Sequence, residues 1–489
     1  MLMELLLGIL LLTGCLFLTT RKPSKLPPGV WGWPVIGCLP SSSERLSDQV
    51  NKLRAIYGDI ISWRIGCRIF VFLCNNDLVK TVLTRPEFVD RPDLFTYDVF
   101  SGGTKTGGLI FTNGQYWKRN RKLFLHQLRD LALETDIQQE ATYLVEDLKE
   151  HVRTPQPLPL SCRMATINVI WKFTAGTRFD LWDAGLQNFS RLMSEMRSSL
   201  QGRVALFNAL PWLITVAPNF LMEKLGANRL LYNVEKITDF IMPFIEDHAA
   251  KIDPSQPRDL MGLYLMEMQK EADSPDSHMS WKDLAVVTIE LFLSGSETIW
   301  ATLHWAVLYL AKYPDVQART QREIDAAVPR GTLPSLLDKD KLPYLQAVIN
   351  EVHRIVALAP LGVAHCASQD TQIGEYSIPK DTVIVTSLES CLKDPQLWEK
   401  PEEFNPSHFL DEGGHFTPRK EEFLPFAVGR RVCLGQPLAS MELFIFLSTL
   451  LQHFTFSVPD DEELIIERDP REMIINAPKS SKIVITERE

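Results

Sequence analysis

Residues 423–439 read FLPFAVGRRVCLGQPLA, and this stretch decides the fold class of the 489-residue chain. Glycines stand on both sides of Cys433, so the backbone can turn tightly there and approach a large flat ligand. N–H groups of the turn and of the helix predicted over residues 437–453 point toward the sulfur, where they stabilise a thiolate. Arg431 can reach an anionic group on the rim of such a ligand. A buried, inert cysteine in a helix-capping loop is the alternative interpretation of these residues alone.

The composition is that of an ordinary globular protein, with 45% hydrophobic and 23% charged residues. Fifty-one Lys+Arg against sixty-one Asp+Glu give a formal net charge of −10, which argues against a nucleic-acid partner. The eight cysteines are scattered without CxxC spacing, so neither a secreted disulfide scaffold nor a zinc module is favoured. We therefore expect a reducing compartment.

The N-terminus differs from the rest of the chain. Residues 2–18, LMELLLGILLLTGCLFL, carry one charge, and a helix of this length is near the lower limit for spanning a bilayer. The basic residues Arg21, Lys22 and Lys25 follow the apolar run, and no small-x-small cleavage site is present, which favours a retained anchor over a cleaved signal peptide. By the positive-inside rule the body of the chain lies in the cytosol.

The chain divides into three parts. We predict a transmembrane anchor at residues 1–20, a basic and proline-rich hinge at 21–39, and one large domain at 40–489. Amphipathic patterns predict helices at 44–57, 113–130, 137–151, 232–249, 281–312 and 343–356, whereas β-like runs are confined to ISWRIGCRIFVFL, EYSIPKDTVIVTS and SKIVITE. The predicted fold is mainly α with small β-sheets.

Residues 426–435, FAVGRRVCLG, resemble the haem-binding signature FxxGxRxCxG of the cytochrome P-450 monooxygenases at all five fixed positions. This resemblance implies a single large domain of that family behind the anchor helix. It also implies haem b (iron protoporphyrin IX) with the Cys433 thiolate as axial ligand, and places Phe426 and Gly435 against the haem.

The helix predicted over residues 281–312 contains SGSET at residues 294–298. Polar groups within an apolar helix cost free energy unless they have partners or a function, and by itself this pattern favours a kinked core helix. The segment is similar to AGxET of the family, which implies that Thr298 and Glu297 deliver protons during oxygen activation. Ser294 departs from the family, which usually has alanine or glycine there.

The segment PYLQAVINEVHR places Glu351 and Arg354 on one face of a helix, which alone is a generic ion pair. It matches the ExxR motif of the family. In the family, the glutamate and arginine of this motif are buried and bind a third residue. Here the third residue is His408, in NPSHF, where an arginine is usual. The resemblance implies that these three residues support the cysteine loop and take no direct part in the chemistry.

WKRNR resembles the family motif WxxxR and puts Trp117 and Arg121 about one helical turn apart. Arginine and indole N–H groups bind carboxylates through charge-assisted or directional bonds. The resemblance assigns these two residues, with Arg91, His365 and Arg431, to the haem propionates. A surface cation is the alternative for each charged member.

The same helix carries a run of basic residues: Lys118, Arg119, Arg121, Lys122 and Arg129, opposed by Asp130. Taken alone, a solvated helix face is the expected interpretation. In the family this helix lies on the cysteine side of the haem and docks an acidic flavoprotein. The resemblance therefore implies electrons from NADPH through NADPH–cytochrome P-450 reductase, with cytochrome b5 as a second candidate donor.

The pocket walls implied by the resemblance are apolar: Ile110, Phe111, Leu293, Leu358, Val363 and Ile474. The expected function is a monooxygenase of a lipophilic small molecule (a foreign compound, steroid, fatty acid or hormone) in the endoplasmic reticulum membrane, single-pass with the catalytic domain in the cytosol. A haem-thiolate isomerase or dehydratase that uses no external electrons is one alternative. A helical membrane-surface protein without enzymatic activity is another.

Overall fold

The computed structural model describes residues 21–103, 106–130, 133–251, 258–271 and 279–488, together with Met3, Gly8 and Gly14. Apart from those three residues, the anchor predicted at 1–20 lies outside the described residues. The side chains of Arg129 and Asp130 also lie outside them.

Helices dominate the described residues, as predicted. The first nine are α1 (Leu46–Tyr57), α2 (Asn76–Leu83), α3 (Phe95–Phe100), α4 (Gly114–Asp130), α5 (Leu133–Lys149), α6 (Leu160–Ala175), α7 (Ala184–Ser199), α8 (Ala205–Ala209) and α9 (Leu213–Val216). Next come α10 (Asn219–Leu225), α11 (Ala227–Lys251), α12 (Leu260–Lys270), α13 (Trp281–Lys312), α14 (Pro314–Ala327), α15 (Pro343–Val356), α16 (Leu388–Leu392) and α17 (Gln436–His453). Short 3-10 turns occur at Pro86–Phe88, Gly202–Val204, Leu336–Lys341 and Pro406–Phe409.

The strands form three small sheets. In chain order they are β1 (Gly29–Val30), β2 (Ile60–Ile65), β3 (Arg68–Leu73), β4 (Gln156–Pro157), β5 (His365–Cys366), β6 (Thr371–Ile373), β7 (Tyr376–Ile378), β8 (Val383–Thr386), β9 (Phe454–Ser457) and β10 (Lys482–Glu487). The largest sheet has the order β1-β2-β3-β8-β5, the second β4-β10-β9, and β6 pairs with β7. The β2–β3 hairpin is antiparallel, and β8 joins β3 in parallel from more than 300 residues later. The prediction of a mainly helical fold with small sheets is confirmed.

Helix α13 forms the centre of the fold. It begins where predicted, because the Ser280 side chain accepts the backbone N–H of Asp283 over 3.1 Å and so caps the first turn. The helix contacts α6, α11, α15 and α17, and the rings of Phe292 and Trp171 lie 4.6 Å apart in the core between α13 and α6. Long-range packing around α13 therefore positions the elements that carry the candidate site.

Within the described residues, α13 is the one helix long and apolar enough to cross a bilayer by length and composition. Some 72% of its most apolar window is buried inside the protein. Its hydrophobicity is therefore explained by its place in the core.

The cysteines of the described chain are free thiols, as the sequence pattern predicts. Cys74, Cys162, Cys366 and Cys391 are buried, whereas the sulfur-bearing side chain of Cys433 is accessible.

Candidate active site

The cysteine loop is shaped by Gly429. This residue has φ of 82°, and a Cβ atom there would overlap the backbone carbonyl of Leu83, so only glycine fits. The backbone N–H of Cys433 donates to the carbonyl of Phe426 over 3.0 Å and closes the loop. Gly435 differs from the expectation, because its φ is −84° and a Cβ atom there would meet no protein atom within 4 Å. The tight turn therefore depends on Gly429 alone.

The sulfur of Cys433 lies at the N-terminus of α17. It accepts the backbone N–H groups of Gly435 and of Gln436, the first residue of that helix. Burial raises the pKa of the Cys433 thiol, while these two N–H groups and the Arg121 guanidinium oppose that rise. The side chain of Cys433 is exposed, although the surrounding protein desolvates its thiol. A metal ion bound to such a sulfur deprotonates it outright.

Arg431 lies buried beside the loop with its charge incompletely compensated. Its guanidinium stacks over the ring of Trp117 at 4.0 Å, and its Nε and Nη2 donate to the carbonyls of Val89 and Thr112. The remaining nitrogen, Nη1, is buried without a hydrogen-bond partner. Burial, reinforced by the positive charge of Arg91, lowers the pKa of Arg431 to about 8.

Arg91 and His365 complete the same cluster. Arg91 donates to the carbonyl of Ile110 over 3.0 Å and to that of Val363 over 2.9 Å, and burial lowers its pKa to about 10. The Nδ1 atom of His365 lies 2.6 Å from the Phe88 carbonyl, so it carries the proton of that bond. Burial, and then the charge of Arg91, lowers the pKa of His365 to about 2.

Arg91, Arg431 and His365 fit an anionic cofactor. Each is at most 8% exposed, and burial, followed by the positive charge of Arg91, lowers the pKa values of His365 and Arg431. An anion between them would supply the missing counter-charge and an acceptor for Nη1 of Arg431. With the accessible sulfur of Cys433 nearby, the donor set suits a haem whose iron binds the sulfur and whose propionates bind the cations.

Helix α4 connects this cluster to the cysteine loop. Only part of the basic run predicted on this helix is exposed. Trp117 is buried, and Arg121 donates from Nη2 to the carbonyl of Val432 over 3.1 Å. Arg119 turns toward Glu271, with 3.7 Å between Nη1 and the carboxylate. On this helix Lys118 and Lys122 remain exposed, one helical turn apart.

The middle of α13 has one face that is not fully buried. Ser294 is exposed and Thr298 is half-buried, although the helix is otherwise embedded in the core. Thr298 donates from Oγ1 to the carbonyl of Ser294 over 2.6 Å, and the Ser294 hydroxyl donates to the carbonyl of Glu290 over 2.7 Å. A Cβ atom at Gly295 would strike the side chain of Ile170 on α6, so this glycine permits close packing of the two helices.

Glu297 points to two arginines. Its Oε1 accepts a hydrogen bond of 2.9 Å from Nε of Arg163 on α6, and its Oε2 lies 3.5 Å from Nε of Arg197 on α7. The carboxylate is 3% exposed, and Arg197 also pairs with Glu472 near the C-terminus. The structure thus brings Glu297 into a buried ion-pair network, with no hydrogen bond to Thr298 among the described contacts.

Glu290 is a site residue that the sequence analysis missed. Its buried Oε2 accepts the backbone N–H groups of Leu109 and Ile110, the latter over 2.8 Å, while Oε1 has no partner. Burial raises the pKa of Glu290 to about 7. This carboxyl therefore holds the segment that carries Ile110 and Phe111 against α13. A lone acid eight residues before Thr298 gives no sequence signal for such a role.

The predicted pocket walls come together through backbone contacts. Arg91 bonds to the carbonyls of both Ile110 and Val363, and Phe111 stacks on Tyr97 at 4.1 Å. Leu358 accepts the backbone N–H of Asn476 over 2.8 Å, which brings the segment of Ile474 beside it. Leu293 is half-buried on α13, and Val363 and Ile474 are 44% and 45% exposed.

Glu351, Arg354 and His408 form one buried network behind the cysteine loop. Two nitrogens of Arg354 each donate to Glu351 over 2.7 Å, and both side chains are fully buried. Nδ1 of His408 lies 3.1 Å from the Glu351 carboxylate, and its Nε2 lies 2.7 Å from the carbonyl of Glu399. Both ring nitrogens of His408 therefore face oxygen atoms.

Comparisons with known proteins agree with this geometry. The family model of cytochrome P450 matches residues 27–485. Cytochrome P450 2L1 of Panulirus argus is 50% identical over 479 residues, covering 97% of each chain. Cytochrome P450 2J3 of Rattus norvegicus is 37% identical, covering 92% of this chain and 89% of its own. Cytochrome P450 2B4 of Oryctolagus cuniculus is 36% identical, covering 98% of each.

Proposed function

Because this chain belongs to the cytochrome P450 family and is a cytochrome P450 monooxygenase, we propose that it oxidises lipophilic small molecules at a membrane with electrons from NADPH. The observation that carries the proposal is the pair of buried arginines, Arg91 and Arg431, with Nη1 of Arg431 lacking a hydrogen-bond partner, beside an accessible cysteine. A haem bound through a cysteine thiolate supplies the activation of dioxygen.

Cys433 is the proposed metal ligand. The N–H groups of Gly435 and Gln436 would hold its sulfur as an anion and limit its electron donation. Phe426 fixes the loop through its carbonyl and packs edge-on against His353, with the ring centroids 5.1 Å apart. The loop therefore keeps the sulfur in place before the cofactor binds.

Five residues are proposed to hold the haem propionates: Trp117, Arg121, Arg91, His365 and Arg431. The support is strongest for Arg431, because its Nη1 is buried without a partner. Anions beside Arg91 and Arg431 would also favour protonation of His365, which could then donate from both ring nitrogens.

Thr298 and Glu297 are the proposed proton donors on the substrate side. The Thr298 hydroxyl lies on the face of α13 that is not fully buried. Its oxygen can accept one proton while the hydroxyl proton is passed to the next acceptor. Glu297 is held by Arg163 and Arg197, so release of one arginine must precede proton transfer toward Thr298. Exchange of ion-pair partners within the network would control the proton supply.

The proposed substrate is lipophilic. The six wall residues are hydrophobic, and the aromatic ring of Phe111 is held by its stack on Tyr97. Among these walls the hydroxyl of Ser294 adds one polar group. Apolar surfaces with few polar groups favour lipophilic ligands and fix their orientation.

The proposed electron donor is NADPH–cytochrome P-450 reductase, with cytochrome b5 as a second donor. Lys118 and Lys122 are exposed on α4, and Arg121 of the same helix touches the cysteine loop. A donor with an acidic surface would be attracted to this side, where the path to Cys433 is short.

The proposed location is the endoplasmic reticulum membrane, with residues 1–20 as a single-pass anchor, 21–39 as hinge and 40–489 as the cytosolic domain. Support comes from exposed apolar side chains on neighbouring segments: Trp33, Ile36, Trp212, Ile214, Val216 and Phe220. The two segments adjoin, because Cys67 bonds to the carbonyls of both Val35 and Ala209. Apolar surface of this extent next to an anchor suits insertion into lipid.

Turnover with labelled oxygen tests the function. Full-length protein is combined with reductase, NADPH and ¹⁸O₂, and offered a steroid, a long-chain fatty acid and unsubstituted coumarin. The proposal predicts NADPH-dependent products that contain one ¹⁸O atom. Conversion of organic hydroperoxides without NADPH, and no NADPH-dependent product, would instead assign the isomerase or dehydratase class.

Membrane contact is tested separately by flotation with phospholipid vesicles. A chain without residues 1–20 should still float, and Val216→Asp with Phe220→Asp should abolish flotation. Ile465→Asp changes an isoleucine that is 57% exposed on another segment and serves as the control. Equal flotation of all variants would contradict the role of this surface.

A further inference from the structure

A second cavity lies on the outer side of the cysteine loop, between that loop, α15 and α17. Its volume is about 340 Å³, which is within the range of small-molecule sites. Ile349, Leu424, Phe426 and Phe444 contribute apolar surface to its lining. The cavity belongs to neither the proposed haem site nor the substrate pocket.

The charged groups of this cavity are of one sign. Lys339 and Lys420 contribute to its lining, and none of the described residues that line it is acidic. Of the acids next to these lysines in the chain, Asp338 pairs with Lys341, Glu421 with Lys80, and Glu422 with Arg419. Asp340, on the other side of Lys339, does not line the cavity. Within the described residues neither Lys339 nor Lys420 makes an ion pair.

The other polar groups of the lining are neutral. Asn350 and Ser440 offer hydrogen bonds, and burial lowers the pKa of His353 to about 4, so its ring is uncharged near neutral pH. A ligand that matches this lining has one anionic group for the two lysines and an apolar body for the floor.

We infer that this cavity binds a small amphiphilic anion, such as an aromatic or short aliphatic carboxylate, sulfate or sulfonate. A free small molecule is the source that fits, because the cavity volume is at the lower end of the range for ligand sites. This inference goes beyond the proposed function, and binding at the cavity does not require turnover.

Occupancy of the cavity would be felt at the proposed iron ligand. Phe426 lines the cavity and accepts the N–H of Cys433, and Gln436 lines it and donates its N–H to the Cys433 sulfur. Phe426 and Gln436 would thus separate a bound anion from the Cys433 sulfur. The anion would lie on the side of the loop where the electron donor is proposed to dock.

Isothermal titration calorimetry with naphthalene-2-sulfonate tests the inference. Full-length haem-loaded protein in detergent is first saturated with 1-phenylimidazole, which occupies the substrate side of the iron, and binding to empty micelles is subtracted. We expect one sulfonate per chain under these conditions. Loss of binding on saturation with 1-phenylimidazole would move the site to the substrate pocket and overturn the inference.

Two comparisons isolate the charge recognition. The double variant Lys339→Gln/Lys420→Gln should weaken binding by at least about tenfold, because two charge-assisted contacts are lost. The control Lys52→Gln/Lys482→Gln removes the same charge from lysines that pair with Glu44 and Glu462, away from the cavity, and should bind like the wild type. Neutral naphthalene-2-sulfonamide should bind at least about tenfold more weakly than the sulfonate. Equal binding in either comparison would overturn the inference.

Discussion

Replacing Glu290 by glutamine is expected to stabilise the folded protein most at alkaline pH and less at mildly acidic pH. The carboxyl is fully buried, and burial raises its pKa from 4.5 to about 7 against the effect of the N–H groups of Leu109 and Ile110. Between these values the folded protein keeps a proton that the unfolded chain has lost. Stability from this group is therefore present below pH 4.5 and is lost as the pH rises through about 7.

The size of the effect follows from that pKa difference. A change from 4.5 to about 7 corresponds to about 3 kcal/mol between the two protonation states. Glutamine stays neutral at every pH, and its amide oxygen can accept both N–H groups because Oε2 alone accepts them in the native protein. For a chain of 489 residues about 1 kcal/mol moves Tm by about 1 °C, so Glu290→Gln should gain about 3 °C at alkaline pH.

Thermal unfolding of haem-loaded protein, followed by circular dichroism at one scan rate, measures this gain at about pH 5.5 and about pH 9. Arg91 and Arg431 face Glu290, and anions bound to these arginines would raise the pKa of the Glu290 carboxyl further. The upper pH is therefore set well above 7. Glu412→Gln is the matched control, since it makes the same substitution at an exposed carboxyl. Its Tm difference from wild type should be the same at both pH values. A Glu290→Gln protein that melts below wild type at the higher pH, or a difference that does not depend on pH, would refute the reasoning.

Three further substitutions test the cysteine loop, the cation cluster and the buried network. Gly429→Ala should lose most haem incorporation, because an alanine in this left-handed backbone conformation costs about 1–2 kcal/mol and its Cβ overlaps a carbonyl. Gly435→Ala should retain most haem incorporation. Equal absorbance of haem in the two purified variants would contradict this. Arg431→Leu should speed the transfer of haem to apomyoglobin by about tenfold or more, since a charge-assisted bond contributes about 1.5–3 kcal/mol. Arg431→Lys should have a transfer rate between those of the wild type and Arg431→Leu. Unchanged transfer rates would exclude Arg431 from haem binding. Arg354→Met leaves Glu351 buried without its charge partner, which costs about 3–5 kcal/mol; a wild-type Tm in this variant would contradict the bidentate pair.

The parts of the site that could be predicted from the sequence are those with short, local spacing. The cysteine loop is contiguous, and Glu351 and Arg354 share one helix face at a spacing of three. Helix α13 was predicted at its observed bounds because a cap, a long apolar run and a terminal proline agree. In each case the physical cause lies within a few residues of its effect.

The parts that could not be predicted depend on contacts between distant segments. Helix α6 is buried on nearly every side, so it shows no amphipathic pattern to find. The ion pairs of Glu297 with Arg163 and Arg197 join three helices, and the N–H groups bound by Glu290 come from about 180 residues earlier. The basic run on α4 was too broad a prediction, because tertiary contacts turn Arg119 inward.

The central claim is that Cys433 binds haem iron as a thiolate, and the absorption spectrum of the ferrous carbonyl complex tests it most directly. Full-length protein reduced with dithionite under carbon monoxide should show the red-shifted band that thiolate ligation produces. The variant Cys433→Ser should lose this band. The control Cys391→Ser, which changes a buried thiol elsewhere, should keep it. A wild-type complex without that band, or a band that persists in Cys433→Ser, would contradict the account.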